Sequence, residues 1–210
     1  MDEDKQAYFD LYSEWIERKK RRPFTVYQFL KNTGFAEAHF FGLFKSIHDL
    51  ERQMLGACFD ETMQSLTYDP VYMSYTVREK LLSFYFTLIE QMKNRRSTVR
   101  YLLKQSGSFS IFTGPWALFK SSFLKYAAEL VEEGRVTGEI ADRPFVLSQY
   151  PASLYHQLMS VLRFWSRDES ADLQDSDAVI EKHLRFSFDL MQSNGLDSLF
   201  DLSKFLIQHR

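Results

Sequence analysis

Cysteine, glycine and proline are scarce in this chain, and so are the short motifs that carry most enzyme chemistry. A single cysteine, Cys58, excludes an intramolecular disulfide and a multi-cysteine metal site. It falls on an apolar helix face, where an inert buried thiol is expected. Eight glycines and five prolines in 210 residues, together with helical periodicity nearly throughout, favour an all-α protein. No apolar run approaches the ~20 residues needed to span a bilayer. The N-terminus, Met-Asp-Glu-Asp, has no secretion-signal core. A soluble cytoplasmic protein is expected. There is no glycine-rich phosphate loop, no HExxH and no nucleophile elbow. The histidines, at 39, 48, 156, 183 and 209, are scattered. His156 and His183 lie on adjacent long helices and can meet, but without a carboxylate partner two histidines do not make a metal site. The expectation is a non-enzyme with no catalytic residue, no metal and no cofactor.

What the chain has in quantity is aromatic side chains, 20 Phe and 11 Tyr, and charge distributed in blocks. The net charge of −2 argues against a uniformly basic nucleic-acid binder. Residues 1–18 nevertheless sum to −4, residues 19–56 to +4, and residues 93–104 to +5. The core of the first basic block, Lys19 to Arg22, lies between the first two predicted helices, where it can rest on a phosphate backbone or be a solvated loop. The second block can lie next to the DNA-binding domain, on the connection between the fifth and sixth helices, and add to the same field, or be an exposed face at one end of the molecule; the second is the expectation.

The most informative stretch lies in the first block, from Thr25 to Leu50. Thr25 with Gln28 fits a capping box, and Val26, Phe29 and Leu30 give one apolar face. Gly34 ends this short helix, because the residue past a helix end often needs positive φ. A second short helix spans about Ala36 to Leu43. Ser46 with Asp49 opens a longer one, carrying Leu50, Met54, Leu55 and Cys58 on one side. Two short helices joined by a glycine turn make a helix-turn-helix, the unit that puts a short helix into the major groove of DNA.

In this stretch the sequence resembles the tetracycline-repressor (TetR) family of bacterial one-component regulators. Thr25, Val26, Phe29, Gly34, Phe35, Phe40, Phe44, Ser46 and Leu50 fall in register with the family's motif without a gap. The departures sit at positions where the family touches DNA. Ala36 stands for the usual Ser, Glu37 for a basic or small polar residue, and Ala38 and His39 for Gly and Thr. Phe41 replaces the phosphate-touching Tyr, Gly42 a His, and Ile47 a Lys, with Lys45 nearby to substitute. Leu30 replaces a small Ala, and Lys-Lys-Arg-Arg-Pro replaces the glycine turn between the first two helices.

The resemblance implies an all-α fold, with an N-terminal three-helix helix-turn-helix domain over 1–50 and a C-terminal helical regulatory and dimerisation domain over 51–210. It implies a ligand-responsive transcriptional regulator, expected to be a repressor, that binds a palindromic double-stranded DNA operator as a homodimer. The DNA-facing residues would be Thr25, Tyr27, Lys31, Glu37, His39, Phe41, Gly42, Lys45 and Ser46. The alternative is a protein of the same fold that has lost DNA binding and takes a lipid-like ligand or a protein partner.

The remaining helices follow from periodicity. The first spans about 2–20, with Tyr8, Leu11, Tyr12, Trp15 and Ile16 as its core stripe. The fourth spans about 47–67 and ends at a Tyr-Asp-Pro turn. Residues 75–105 read as one long or two consecutive helices, and Ser106 to Gly114 as a loop. Pro115 starts a helix over 115–133 that Gly134 ends. Two long helices, about 146–167 and 176–193, follow, with Asp175 or Ser176 as cap of the second. An amphipathic helix at 197–208 closes the chain. In the family such a long pair forms a four-helix dimer interface. Here its stripe is Leu154, Leu158, Val161, Leu162 and Trp165, then Ile180, Leu184, Phe188 and Met191. The same stripe can equally be core. For a small apolar effector, the candidate pocket residues are Phe84, Tyr85, Met92, Trp116, Phe123, Tyr126, Tyr155 and Met159; an aromatic stripe at helical spacing also fits plain core. The segment after Met159 resembles a C-terminal domain found in family members from Bacteroidetes.

Overall fold

In the computed structural model, residues 3–105 and 114–192 are described, and all of their regular structure is helical, with no strand among them. The helices are α1 (Glu3–Lys19), α2 (Val26–Leu30), α3 (Glu37–Leu43), α4 (Ile47–Thr67), α5 (Val77–Met92), α6 (Arg96–Gln105), α7 (Ala117–Thr137), the short α8 (Pro144–Leu147), α9 (Tyr150–Trp165) and α10 (Gln174–Gln192). The expected helix at 197–208 and the loop up to residue 113 lie outside the described residues.

α1, α2 and α3 close on the first turns of α4 through a cluster of rings. Tyr8 packs edge-on against Phe40 and Phe44, with centroids 5.6 and 5.7 Å away, and Phe29 meets Phe40 at 6.2 Å. α4 then runs into the bundle and packs against both α5 and α7, while α9 lies on α7 and α10 on both α5 and α9. The bundle core is again aromatic. Phe84 touches Phe59, Phe123 and Tyr126 at 5.5, 5.5 and 5.0 Å.

A buried charged network ties the two ends together. Glu51 on α4 is fully buried and accepts two hydrogen bonds from Arg22, Nε to Oε1 and Nη2 to Oε2, both 2.7 Å. The Tyr12 hydroxyl of α1 donates to Glu51 Oε1, and the Arg22 amide donates to the Tyr101 hydroxyl of α6 at 3.0 Å. Burial, and then the Glu51 carboxylate, push the Tyr12 phenol far above its usual range. A buried carboxylate is tolerable only when paired in this way.

Several boundaries differ from the sequence expectation for physical reasons. Gly134 does not end α7. It lies inside the helix, where an added Cβ would sit 2.8 Å from Ile140 Cδ1, so it is a close-approach position. The helix ends at Gly138, whose φ of 82° supplies the left-handed cap. The Pro115 start is likewise displaced, with Trp116 as N-cap and Ala117 as the first residue. Of the two readings of 75–105, the second holds: two consecutive helices, separated by a 3₁₀ turn at Lys93–Arg95. The helix expected at 146–167 begins at Tyr150, after the separate short α8. The start of α10 is not capped by Asp175 or Ser176. Asp168 accepts there from the Ser176 amide and hydroxyl at 2.8 and 2.5 Å, and Ser170 accepts from the Asp175 amide. Between α1 and α2, Lys20 takes φ 56°, the turn for which the family uses glycine.

Candidate nucleic-acid interface

The helix-turn-helix assembles as its capping residues demand. Thr25 Oγ1 accepts from the Gln28 amide at 3.0 Å, and Gln28 Oε1 accepts from the Phe24 amide, one residue before the expected partner. Gly34 has φ 81°. Ser46 Oγ accepts from the Asp49 amide at 3.2 Å, and Asp49 Oδ2 from the Lys45 amide at 3.0 Å. Burial works to raise the Asp49 pKa, but the hydrogen bonds from Lys45 and Gln53 and the nearby Arg52 outweigh it, and the net shift is downward. Of the expected DNA-facing set, Thr25 and Ser46 therefore spend their hydroxyls on capping.

α3 is seven residues long and buries Phe40 completely. Its outward stripe is Glu37, Ala38, Phe41 and Gly42, all exposed, with Phe41 at 53%. Tyr27 and Lys31 of α2 and Lys45 after α3 flank it, also exposed. His39 does not share that face. It turns back to α1, where Nδ1 shares a hydrogen bond of 2.9 Å with the Tyr8 hydroxyl and Nε2 lies 3.5 Å from Asp4. Its ring also stacks on Phe35. His39, expected from the sequence to face DNA, is exposed but has its ring engaged by Tyr8 and Asp4 of α1. The Lys where the family differs, Ile47, is a buried core side chain here.

The basic blocks are also less open than their composition implies. Arg22 is spent on Glu51, and Arg21 lies over the Phe24 ring at 4.9 Å. In the second block, Lys93 pairs with Glu90, and Arg95 with Asp10 of α1 at 2.7 Å. Arg96 donates to the Trp165 and Asp168 carbonyls and covers the Trp165 ring. Two of the five basic side chains of this block, Arg95 and Arg96, therefore join elements, while Lys93, Arg100 and Lys104 are exposed. Two exposed residues near the motif lie outside the sequence-derived set: Phe24, 76% exposed, and His48. Helical phase could have flagged His48, and nothing in the pattern marks Phe24. Phe24, Phe41, Lys45, Ser46 and His48 line a shallow hollow beside α3.

The eight effector candidates are all buried. Phe84, Phe123, Tyr126 and Tyr155 form a continuous ring contact, and Trp116 joins it through Phe119. Burial raises the Tyr155 phenol to about 12, and the Tyr126 hydroxyl is held by Tyr72 at 2.9 Å. None of the eight lines the open hollow between α4 and α7, which is bordered by Arg52, Leu118, Lys120 and Leu124. Their packing is that of a core. Cys58 is buried, with its thiol pushed up to about 11 by burial, as befits an inert side chain. His156 is exposed and lies beside Tyr155, and no group of three or more metal-ligating side chains occurs among the described residues. No described helix is long and apolar enough to cross a membrane.

An all-α chain with an N-terminal helix-turn-helix packed on a C-terminal bundle defines a class of helical regulator folds. The tetracyclin repressor-like C-terminal domain profile matches residues 80–206, well over half of the sequence, and the chain belongs to the TetR family. Two solved structures share its fold. One, from Syntrophomonas wolfei str. Goettingen, is assigned to the TetR-family transcriptional regulators; at 15% identity it covers 91% of this chain and 96% of its own, with a TM-score of 0.72. The other, of the same assignment and from Shewanella sp. PV-4, has 14% identity, coverage of 90% and 97%, and a TM-score of 0.63. No curated protein matches the sequence.

Proposed function

We propose that this chain is a DNA-binding transcriptional regulator that acts as a repressor and responds to a small apolar effector. The observation that carries the reading is the outward stripe of α3, exposed on a helix-turn-helix whose flanking helices are capped by Thr25 and Ser46, and flanked by Tyr27, Lys31 and Lys45. Residues 1–50 form the DNA-reading unit and 51–210 the regulatory unit. The network of Arg22, Glu51 and Tyr101 spans that division. The regulator works as a homodimer on a palindromic operator, with half-sites about one helical turn apart or a small multiple. The apolar stripe from Leu154 to Met191 is buried within one chain. Support for a dimer through α9 and α10 comes instead from their exposed Phe164, Phe186 and Leu190. An apolar effector would enter by parting the ring cluster around Phe84 and Phe123. Stabilisation in thermal shifts against an apolar ligand panel is the expected sign.

The decisive measurement is titration of the protein with its own upstream DNA at several salt concentrations. Tight binding that weakens with salt and survives competitor DNA supports the reading. Binding no tighter than to random DNA would transfer the case to a TetR-fold protein that has lost DNA binding. That second reading draws on Glu37, which repels phosphates, and on the loss of His39 to α1. A protein of the family is not expected to be an enzyme, and a regulator acts in the cytoplasm.

A further inference from the structure

We propose that α3 reads pyrimidines: the Glu37 carboxylate accepts a hydrogen bond from the N4 amino group of a cytosine, and Phe41 packs on the C5-methyl of a thymine. This rests on the DNA-binding reading and specifies what the operator must contain. The outward stripe offers a small chemical vocabulary. Ala38 and Gly42 present no polar side-chain atom, and His39 is held by Tyr8 and Asp4. Glu37 is left as the one side chain of the stripe that can form a hydrogen bond with a base edge.

An ionised carboxylate accepts and cannot donate. The major groove offers amino donors only from cytosine and adenine, and guanine presents two acceptors that repel it. Adenine carries the N7 acceptor beside its amino group, so cytosine is the base with a donor and no adjacent repulsion. Phe41 is 53% exposed and is buttressed edge-on by the buried Phe40, with centroids 5.5 Å apart. The one apolar group on the major-groove edge is the thymine methyl. Gly42 points into open space: a Cβ there would meet nothing within 4 Å, so packing within the chain does not require glycine. With Ala38 beside it, the stripe is low enough for the helix to lie close to the groove floor.

Lys31 and Lys45 have no ion pair among the described residues and flank the stripe toward the phosphates. Glu37 and Phe41 are four residues apart. At 1.5 Å per residue, that is about 6 Å along the helix, or roughly two base steps of about 3.4 Å. Each half-site should therefore hold a cytosine and a thymine about two base pairs apart.

The test is selection of bound duplexes from a random pool with the full chain, followed by base and side-chain replacement in the enriched site. The enriched half-site should carry the cytosine and thymine at that spacing. Replacing the thymine by deoxyuridine removes only the methyl and should weaken wild-type binding about fourfold, from about 0.8 kcal/mol per buried carbon. Phe41→Ala should bind the thymine and deoxyuridine sites equally. Glu37→Gln should move the preference at its position from cytosine to adenine, by about fivefold or more, the lower end of about 1–3 kcal/mol per good base contact. It should also tighten binding to random DNA, because a negative charge leaves the phosphate field. Enrichment of a site without these bases, or equal wild-type affinity for thymine and deoxyuridine, overturns the pyrimidine code while leaving DNA binding intact. No enrichment of any site overturns both.

Discussion

Phe41 and Phe84 are the same residue in opposite settings. Phe84 lies in the bundle with no exposed surface, ringed by Phe59, Phe123 and Tyr126. Phe41 lies on α3, more than half exposed, with Phe24 and Tyr27 nearby at 76% and 66%. The bundle uses its rings for stability. The helix-turn-helix buries Tyr8, Phe29, Phe40 and Phe44 and displays other rings on the surface, with Phe41 edge-on against Phe40 and Phe24 beneath Arg21.

Substitutions can break or sharpen this contrast. The largest loss is expected for Phe84→Ala, about 3–5 kcal/mol by chemical denaturation, because the removed ring leaves a cavity among rigid neighbours. Glu51→Ala follows at about 3 kcal/mol, since Arg22 and the Tyr12 hydroxyl lose their buried partner. It should also loosen α6 from the α1–α2 connection, visible as faster amide exchange around Tyr101. Gly134→Ala should cost about 1–3 kcal/mol, the range for overpacking, because the new methyl meets Ile140 at 2.8 Å.

Asp168 gives a pH signature. The Ser170 and Ser176 hydroxyls hold its carboxyl well below the ordinary 3.8. A depressed folded-state value means that its contribution is complete above the unfolded value and is lost as pH falls from there toward the folded one. Melting temperature should therefore decline on acidification below about pH 5, and Asp168→Asn should flatten that part of the curve. At the small end, Phe41→Ala should change stability by less than about 0.5 kcal/mol. A stability loss near that of Phe84→Ala would erase the contrast between the two regions.

Capping chemistry was legible residue by residue. Thr25, Ser46 and Asp49 act as their spacing implies, and α4 spans the expected 47–67. Glycine was legible in kind but not in place. Gly134 and Gly138 both look like helix stops, and only the approach of Ile140 tells a packing glycine from a capping one. The α10 cap was missed because Asp168 reaches across several residues of loop. Burial could be expected for the effector candidates, but periodicity cannot distinguish a wall of a pocket from a packed core. The same limit applied to the stripe from Leu154 to Met191, which proved to be core.

Helical class, the helix-turn-helix and its family register follow from local rules: caps, a turn glycine and the 3.6-residue period act within a few positions of each other, so the chain carries them in its order alone. Which charges and rings remain available to a partner does not follow, because that depends on neighbours distant in sequence. Glu51 takes Arg22 from 29 positions away, Asp10 takes Arg95 from 85, and Tyr8 takes His39 from 31. Those pairings turned a basic, histidine-bearing segment into a surface defined by Glu37, Phe41 and two flanking lysines, and only the packing of α1 and α4 against it made that choice.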